Sequence, residues 1–279
     1  MSLYVEQSPL KIVVCIKSVM DKTMPGKGRG GMENMELNPF DWPALSLAHY
    51  LAGKSGGSIT LLSMGPENAT FGLHQAMAAT GAERIILIRD PAMKESDTYV
   101  TAKILGTAIK KLSPFDLILF GTRSSDSDTG HVGPQTAEMV ELPFIANIHG
   151  MDIENRAGET LFHVERKIDG FMEAYTLTGP ALFTVSPSLN ARGTGFKAMG
   201  SGTISLLSIE DAFKRRDIEF WDHGILGLEP GELGLQASPT KIVSWDRSQK
   251  GKKCSFIEGS PGQKAALLAQ ELLKSGLIG

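Results

Sequence analysis

The sequence predicts an α/β fold built on a doubly wound, mainly parallel sheet, with an antiparallel hairpin extension and a C-terminal arm. Three observations carry this. Four short runs, Lys11–Ile16, Ser58–Met64, Arg84–Ile88 and Asp116–Phe120, are rich in Val, Ile and Leu. They are nearly continuous rather than alternating, as strands covered on both faces are. Segments of helical spacing separate them from Lys11 to Glu141, which is the pattern of a parallel sheet wrapped by helices. After Pro143 the texture changes: Thr160–Lys167 and Phe171–Thr178 alternate around Ile168-Asp169-Gly170, a hairpin turn.

The first helix is expected to take Asn38 as its cap and Pro39 in its first turn, where a missing N–H costs nothing. Asp41 suits its positive end. Ala44, Leu45, Ala48 and Leu51 then share one face, and Gly53 is the expected stop. The second helix covers Glu67–Thr80, with Gly81 in the left-handed cap position. A third follows Ser96 and turns Val100, Ile104, Leu105 and Ala108 toward the sheet. The fourth is expected from Asp128 or Thr129 to Glu141. Ala181–Val185 reads as one more buried strand.

Residues 188–202 read as a loop, Ile209–Phe213 as a helical turn, and Gly224–Pro239 as a Gly- and Pro-rich connector. A last helix spans Gln263–Ser275 with Ala266, Leu267, Gln270 and Leu273 along one side. The tail lacks the apolar residues for its own core and must lie against the main domain or a partner. The expected organisation is an α/β nucleotide-binding domain over residues 10–205 and a C-terminal arm over 206–279 that packs on a partner subunit.

Composition excludes several classes. The chain has 279 residues, 42% hydrophobic and 21% charged, with a net charge of −3, an ordinary globular balance with no broad attraction for polyanions. Nucleic acid is therefore not an expected partner. No apolar run approaches the ~20 residues of a membrane span, so no membrane insertion is expected. Met1–Pro9 resembles neither a signal nor a transit peptide, and the expected location is cytoplasmic. The two cysteines, Cys15 and Cys254, and six scattered histidines offer no disulfide framework and no metal-ligand spacing. Cys15 lies inside a strand and reads as a small buried apolar side chain.

Ligands of open α/β sheets bind beyond the carboxyl ends of the strands. Here those ends lead into residues 17–38, Gly65-Pro66, Asp90 and Gly121–Gly133. The last segment, Gly121-Thr122-Arg123-Ser124-Ser125-Asp126-Ser127-Asp128-Thr129-Gly130-His131-Val132-Gly133, follows a strand and opens a helix. Its glycines and hydroxyls suit a phosphate at a helix N-terminus. Asp126 and Asp128 oppose an anion unless one caps the helix and the other takes a sugar hydroxyl. On composition alone the segment fits phosphate binding and plain helix capping equally. It contains neither a dinucleotide fingerprint nor a P-loop. Lys214-Arg215-Arg216 reads as a solvated face. No nucleophile–base arrangement can be argued from spacing.

At these residues the chain resembles the electron-transfer flavoprotein beta-subunit family. Val14-Cys15-Ile16-Lys17 is similar to that family's opening strand, and Leu37-Asn38-Pro39-Phe40-Asp41 to its first helix start. Ser63-Met64-Gly65-Pro66, Ala76-Met77-Ala78 with Gly81-Ala82, Asp97-Thr98, and Val164-Glu165-Arg166 with Asp169-Gly170 continue the likeness. Asp126-x-Asp128-Thr129-x-x-Val132-Gly133-Pro134 is the most specific match. The resemblance implies a Rossmann-like, adenine-nucleotide-binding fold. It also implies pairing with an alpha subunit that bears FAD, and electron exchange with acyl-CoA or other flavin dehydrogenases. It implies FAD or AMP in this subunit, held at Cys15, Asn38, Met64, Gly65, Gly121, Arg123, Asp126, Asp128, Thr129, Gly130, His131, Val132 and Gly133. The wording of the last motif is nearer the FAD-binding, bifurcating members. Leu189, Asn190, Ala191 and Arg192 correspond to the family's partner-recognition loop.

Two departures stand out. FAD-type members read Gly-Arg-Gln where this chain has Gly121-Thr122-Arg123. The recognition loop lacks the family's lysine-rich run, which implies a different or narrower redox partner. Two readings from other classes are a stand-alone adenine-nucleotide enzyme and a stress-type nucleotide-sensing protein.

Overall fold

The computed structural model describes residues 9–20, 35–156, 158–189, 218–241, 243–244 and 256–277. The expected helix at 209–213, the basic triplet at 214–216, most of the 188–202 loop and Cys254 lie outside them. The described chain forms two units, which divide after Lys241.

In the first unit the strands are β1 (Lys11–Ile16), β2 (Ser18–Met20), β3 (Met35–Leu37), β4 (Ser58–Met64), β5 (Arg84–Ile88), β6 (Leu117–Gly121), β7 (Phe144–Arg156), β8 (Glu159–Ile168), β9 (Phe171–Thr178), β10 (Ala181–Val185) and β11 (Ile218–Trp221). The main helices are α1 (Trp42–Ser55), α2 (Thr70–Thr80), α3 (Thr98–Lys111) and α4 (Val132–Val140). Nine strands make one sheet in the order β11-β5-β4-β1-β6-β10-β7-β8-β9, and β2 and β3 make a small antiparallel pair beside it. From β11 to β7 all pairings are parallel; β8 and β9 are antiparallel additions. This is the expected doubly wound sheet with its hairpin.

Alternation along the central strand shows why both faces are apolar. Ile12, Val14 and Ile16 of β1 join the core beneath α1 and α2 with Leu45, Leu51 and Leu73. Val13 and Cys15 face the other core with Val100, Ile104 and Ile109 of α3 and Val140 of α4. Cys15 is buried as expected, and burial, followed by the nearby Asp41 carboxylate, pushes its thiol well up.

Element ends follow local chemistry. Asp97 caps α3, its Oδ1 accepting the Val100 N–H at 3.0 Å. Gly81 closes α2 at φ 69°. Asp169 and Gly170 take positive φ values of 49° and 84°, the mirror-image turn that a tight hairpin needs. Three sequence expectations are corrected. α1 runs past Gly53 to Ser55 and stops at Gly56, φ 65°. It starts at Trp42 rather than beside Asn38. α4 starts at Val132, because Asp128 sits at φ 56° and Gly130 at φ 67°, which no right-handed helix accommodates.

Four strands have no sequence forecast. β7 pairs parallel to β10 at one end and antiparallel to β8 along the rest, with Asn147 at φ 56° and a register shift before Gly150 interrupting its alternation. β2 and β3 span only three residues each. β11, four residues long, pairs with β5, so residues 218–241 sit within the first unit. The second unit contains the helix α5 (Pro261–Lys274), with Ser260 and Gln263 in a capping box and Leu267, Leu268 and Leu273 exposed.

Candidate functional site

Chain order along the sheet reverses between β1 and β6: β4 and β5 build outward on one side, β10 and β7 on the other. That reversal leaves a crevice at the carboxyl ends of β1 and β6, where α/β sheets hold ligands. Lys17 leaves β1 there, and Gly121 ends β6.

The turn 38–41 fills the base of the crevice. The Asn38 N–H donates to Lys17 O at 2.9 Å, and the Lys17 N–H donates to Asp41 Oδ2 at 2.8 Å. Asn38 was expected to cap α1; its side chain does something else. Its Nδ2 donates to Asp41 Oδ1 at 2.9 Å and to Arg123 O at 2.8 Å, while its Oδ1 accepts the Ser125 N–H at 3.1 Å. One buried amide thereby ties the first turn to the loop after β6. Both of its N–H donors and one of the two acceptor sites on its oxygen are used in doing so.

Asp41 occupies the cap position of α1 without capping it. Its carboxyl turns inward and is 4% exposed. Burial raises its pKa to about 7, against the opposing donors Lys17 N–H, Asn38 Nδ2 and Gly121 N–H. Gly121 must lack a side chain here. A Cβ on it would lie 2.3 Å from Asp41 Oδ1 and 2.4 Å from Phe40 O.

The loop from Thr122 to His131 carries paired charges. Lys17 Nζ lies 2.6 Å from Asp126 Oδ2, and Arg123 Nε lies 3.1 Å from Asp128 Oδ1. Burial alone would raise the Asp126 carboxyl, but hydrogen bonds from Lys17 and Ser124 outweigh it and hold the group below its usual value. The Arg123 guanidinium stands 4.5 Å from the Phe40 ring centroid. Thr129 and His131 are exposed. No side chain caps α4, and Pro134 in its first turn has no N–H, so Val132 and Gly133 supply its leading donors. Gly133 is packed on β10: a Cβ there would lie 2.7 Å from Thr184 Cγ2.

The crevice therefore brings together Asn38, Gly121, Arg123, Asp126, Asp128 and the start of α4. Met64 and Gly65 end β4 at the same edge, two strands from Gly121, with Gly65 N–H donating to Ile88 O at 3.1 Å. Cys15 lies beneath, between Leu62 and Phe120. Leu189 is buried, and Asn190, Ala191 and Arg192 lie outside the described residues. Lys17, Phe40 and Asp41 were missing from the sequence-predicted site. Their signal was positional, since each sits where a strand or turn meets the carboxyl edge. A shallow hollow of about 170 Å³ lies on the hairpin, lined by residues such as Met151, His163 and Tyr175, and shares none of the crevice residues.

Among the described residues no three His, Cys, Asp or Glu side chains gather as a metal site, and no helix is long and apolar enough to cross a membrane.

Residues 32–212 match the sequence model of the electron transfer flavoprotein domain. The chain is 33% identical to the electron transfer flavoprotein subunit beta of Thermoanaerobacterium thermosaccharolyticum, over 94% of this chain and 98% of that one. It is 31% identical to the caffeyl-CoA reductase-Etf complex subunit CarD of Acetobacterium woodii, over 96% and 100% respectively. It is 29% identical to protein FixA of Azorhizobium caulinodans, over 95% and 94%.

Proposed function

Because the chain belongs to the electron transfer flavoprotein family, we propose that it is the beta subunit of a two-subunit electron carrier and holds a nucleotide in the crevice between β1 and β6. It takes electrons from acyl-CoA or other flavin dehydrogenases, together with an FAD-bearing alpha subunit, and turns over no substrate of its own.

The observation that carries this reading is the buried Asn38 amide, which fixes the 122–131 loop over the crevice and leaves the α4 N-terminus uncapped. The donor set fits a phosphorylated ligand. Lys17 and Arg123 supply cations, and Val132 and Gly133 supply backbone N–H groups. Gly65 lets a ligand approach the end of β4. The buried Ser63 Oγ at that strand end has no hydrogen-bond partner among the described residues and can take a ligand's polar group.

The motif from Asp126 to Pro134 favours FAD over AMP as the occupant. A bound flavin supplies the electron-accepting ring, whereas AMP would serve as structure alone. The protein's part is to fix position, to screen the phosphates and to exclude water.

Two apolar surfaces fit the alpha subunit: the hairpin, with Phe171 and Met172 exposed, and the leucine side of α5. The test is mild co-purification with the alpha subunit, followed by acid release and identification of bound nucleotides. Two FAD per pair supports a second flavin in the crevice; one FAD and one AMP assigns a structural nucleotide to it. Absence of both a stable pair and flavin rejects the reading.

A further inference from the structure

We propose that Asp128 is a built-in competitor for the ligand's phosphate: it occupies Arg123 until an anion displaces it, and so sets how tightly the crevice retains phosphorylated ligands. This rests on the nucleotide-binding reading above.

The two ion pairs of the loop are not equivalent. Asp126 is woven into the loop, taking the Ser127 N–H at 2.7 Å as well as Lys17 Nζ at 2.6 Å. Asp128 is not. Its side chain is 64% exposed, and the contact its carboxylate makes among the described residues is with Arg123. Its backbone is held separately, by the Asp128 N–H donating to Ser124 O at 2.9 Å. It sits at φ 56°, a conformation that Asp and Asn both tolerate. The carboxylate thus adds charge to the loop without adding to its fold.

Exposed ion pairs contribute little to stability. The effect of this one falls on what else can reach Arg123. Phosphate is the better partner for a guanidinium, because it carries more charge while offering the same bidentate geometry as a carboxylate. Phe40 keeps the guanidinium beside the loop, so Arg123 can exchange Asp128 for phosphate by turning on that ring. The displaced carboxylate remains nearby and opposes the anion.

Asp128→Asn removes the charge while keeping size, backbone conformation and the Ser124 bond. The test is calorimetric titration of the full chain, freed of nucleotide, with AMP, with FAD and with adenosine at low salt. We expect AMP to bind roughly three- to tenfold more tightly to the variant, with the gain shrinking at high salt. Adenosine, which has no phosphate, should bind both proteins equally. In the Arg123→Ala background, Asp128→Asn should give no gain. Three results each overturn the inference while leaving the nucleotide reading intact: no tightening of AMP, an equal gain for adenosine, or a gain that persists without Arg123. If neither AMP nor FAD binds the wild-type chain or the variant, the nucleotide reading falls and this inference falls with it.

Discussion

Asn38 Nδ2 donates to Asp41 Oδ1 at 2.9 Å and, from the same nitrogen, to Arg123 O at 2.8 Å, so a single buried amide joins the turn before α1 to the loop after β6. Replacing it leaves buried donors and acceptors unpaired on both segments. Asn38→Ala should cost about 2–4 kcal/mol of stability and abolish nucleotide retention. Urea unfolding and nucleotide content of the purified variant check both. A variant of unchanged stability would show that the loop has another anchor.

Asp41 titrates late because it is buried, with a pKa of about 7 in the folded chain against the ordinary aspartate value of 3.8. Between those values the folded chain keeps a proton that the unfolded chain has released. The contribution is therefore fully present below about pH 4, is lost as pH rises, and levels off above about 7. The span is on the order of 4 kcal/mol. Asp41→Asn should flatten this slope relative to wild type, although it also loses an acceptor. Urea midpoints of both proteins from pH 4.5 to 7.5 test it.

Gly121→Ala places a methyl against Phe40 O and Asp41 Oδ1, neither of which can retreat without moving the turn. A loss of about 2–4 kcal/mol is expected, with the 122–131 loop released from Asn38. Gly53→Ala, where a Cβ meets nothing within 4 Å, is the control and should be neutral or slightly stabilising.

His223 pins β11 to the end of β5. Its ring Nδ1 is hydrogen-bonded to Asp90 Oδ2, and that hydrogen bond, followed by the carboxylate's charge, raises the His223 pKa. Because the folded value is the higher one, this stabilisation is complete below about pH 6.5 and is lost as pH rises through the raised value. The readout is hydrogen exchange at the Arg89 N–H, which donates to Trp221 O at 2.8 Å. His223→Ala should speed that exchange at pH 6 and remove its dependence on pH.

The hairpin prediction concerns partnership. Changing Phe171 and Met172 together to Ser should weaken association with the alpha subunit at least about tenfold while leaving nucleotide content unchanged. Unaltered association would place the interface elsewhere.

The sheet was legible because its strands are covered on both faces, and Val13, Val14, Leu61 and Leu119 leave no other reading. Gly81 likewise announced a helix end through a local rule. β7 was hidden because it changes partner and register partway, so its residues follow no single alternation. β11 was hidden by its length, and by relying on β5 for its place. The loop 121–133 was visible as a site by composition. The roles of Asn38 and Asp41 were not, since capping is the local use of such residues and the actual partners lie across the sheet in Arg123, Ser125 and Gly121. A side chain whose duty is long-range looks, in sequence, like one whose duty is local.

The reversal of strand order has a consequence for the growing chain. One wall of the crevice is finished by Asp41, but the chain then travels out through β4 and β5 before returning with β6 to build the other. A nascent fragment ending before Leu117 can pair β1, β4 and β5 of the main sheet and still has no crevice. Its Asp41 carboxyl still lacks the Gly121 N–H, and the Asn38 amide still lacks Arg123 and Ser125. Docking of β6 closes the centre of the sheet and completes the site in the same step, a late, long-range event in the terms that govern folding rates. Capture of a small molecule in that cleft would therefore report that the two halves of the sheet have met at its centre, and would discriminate chains that have passed that point from those that have not.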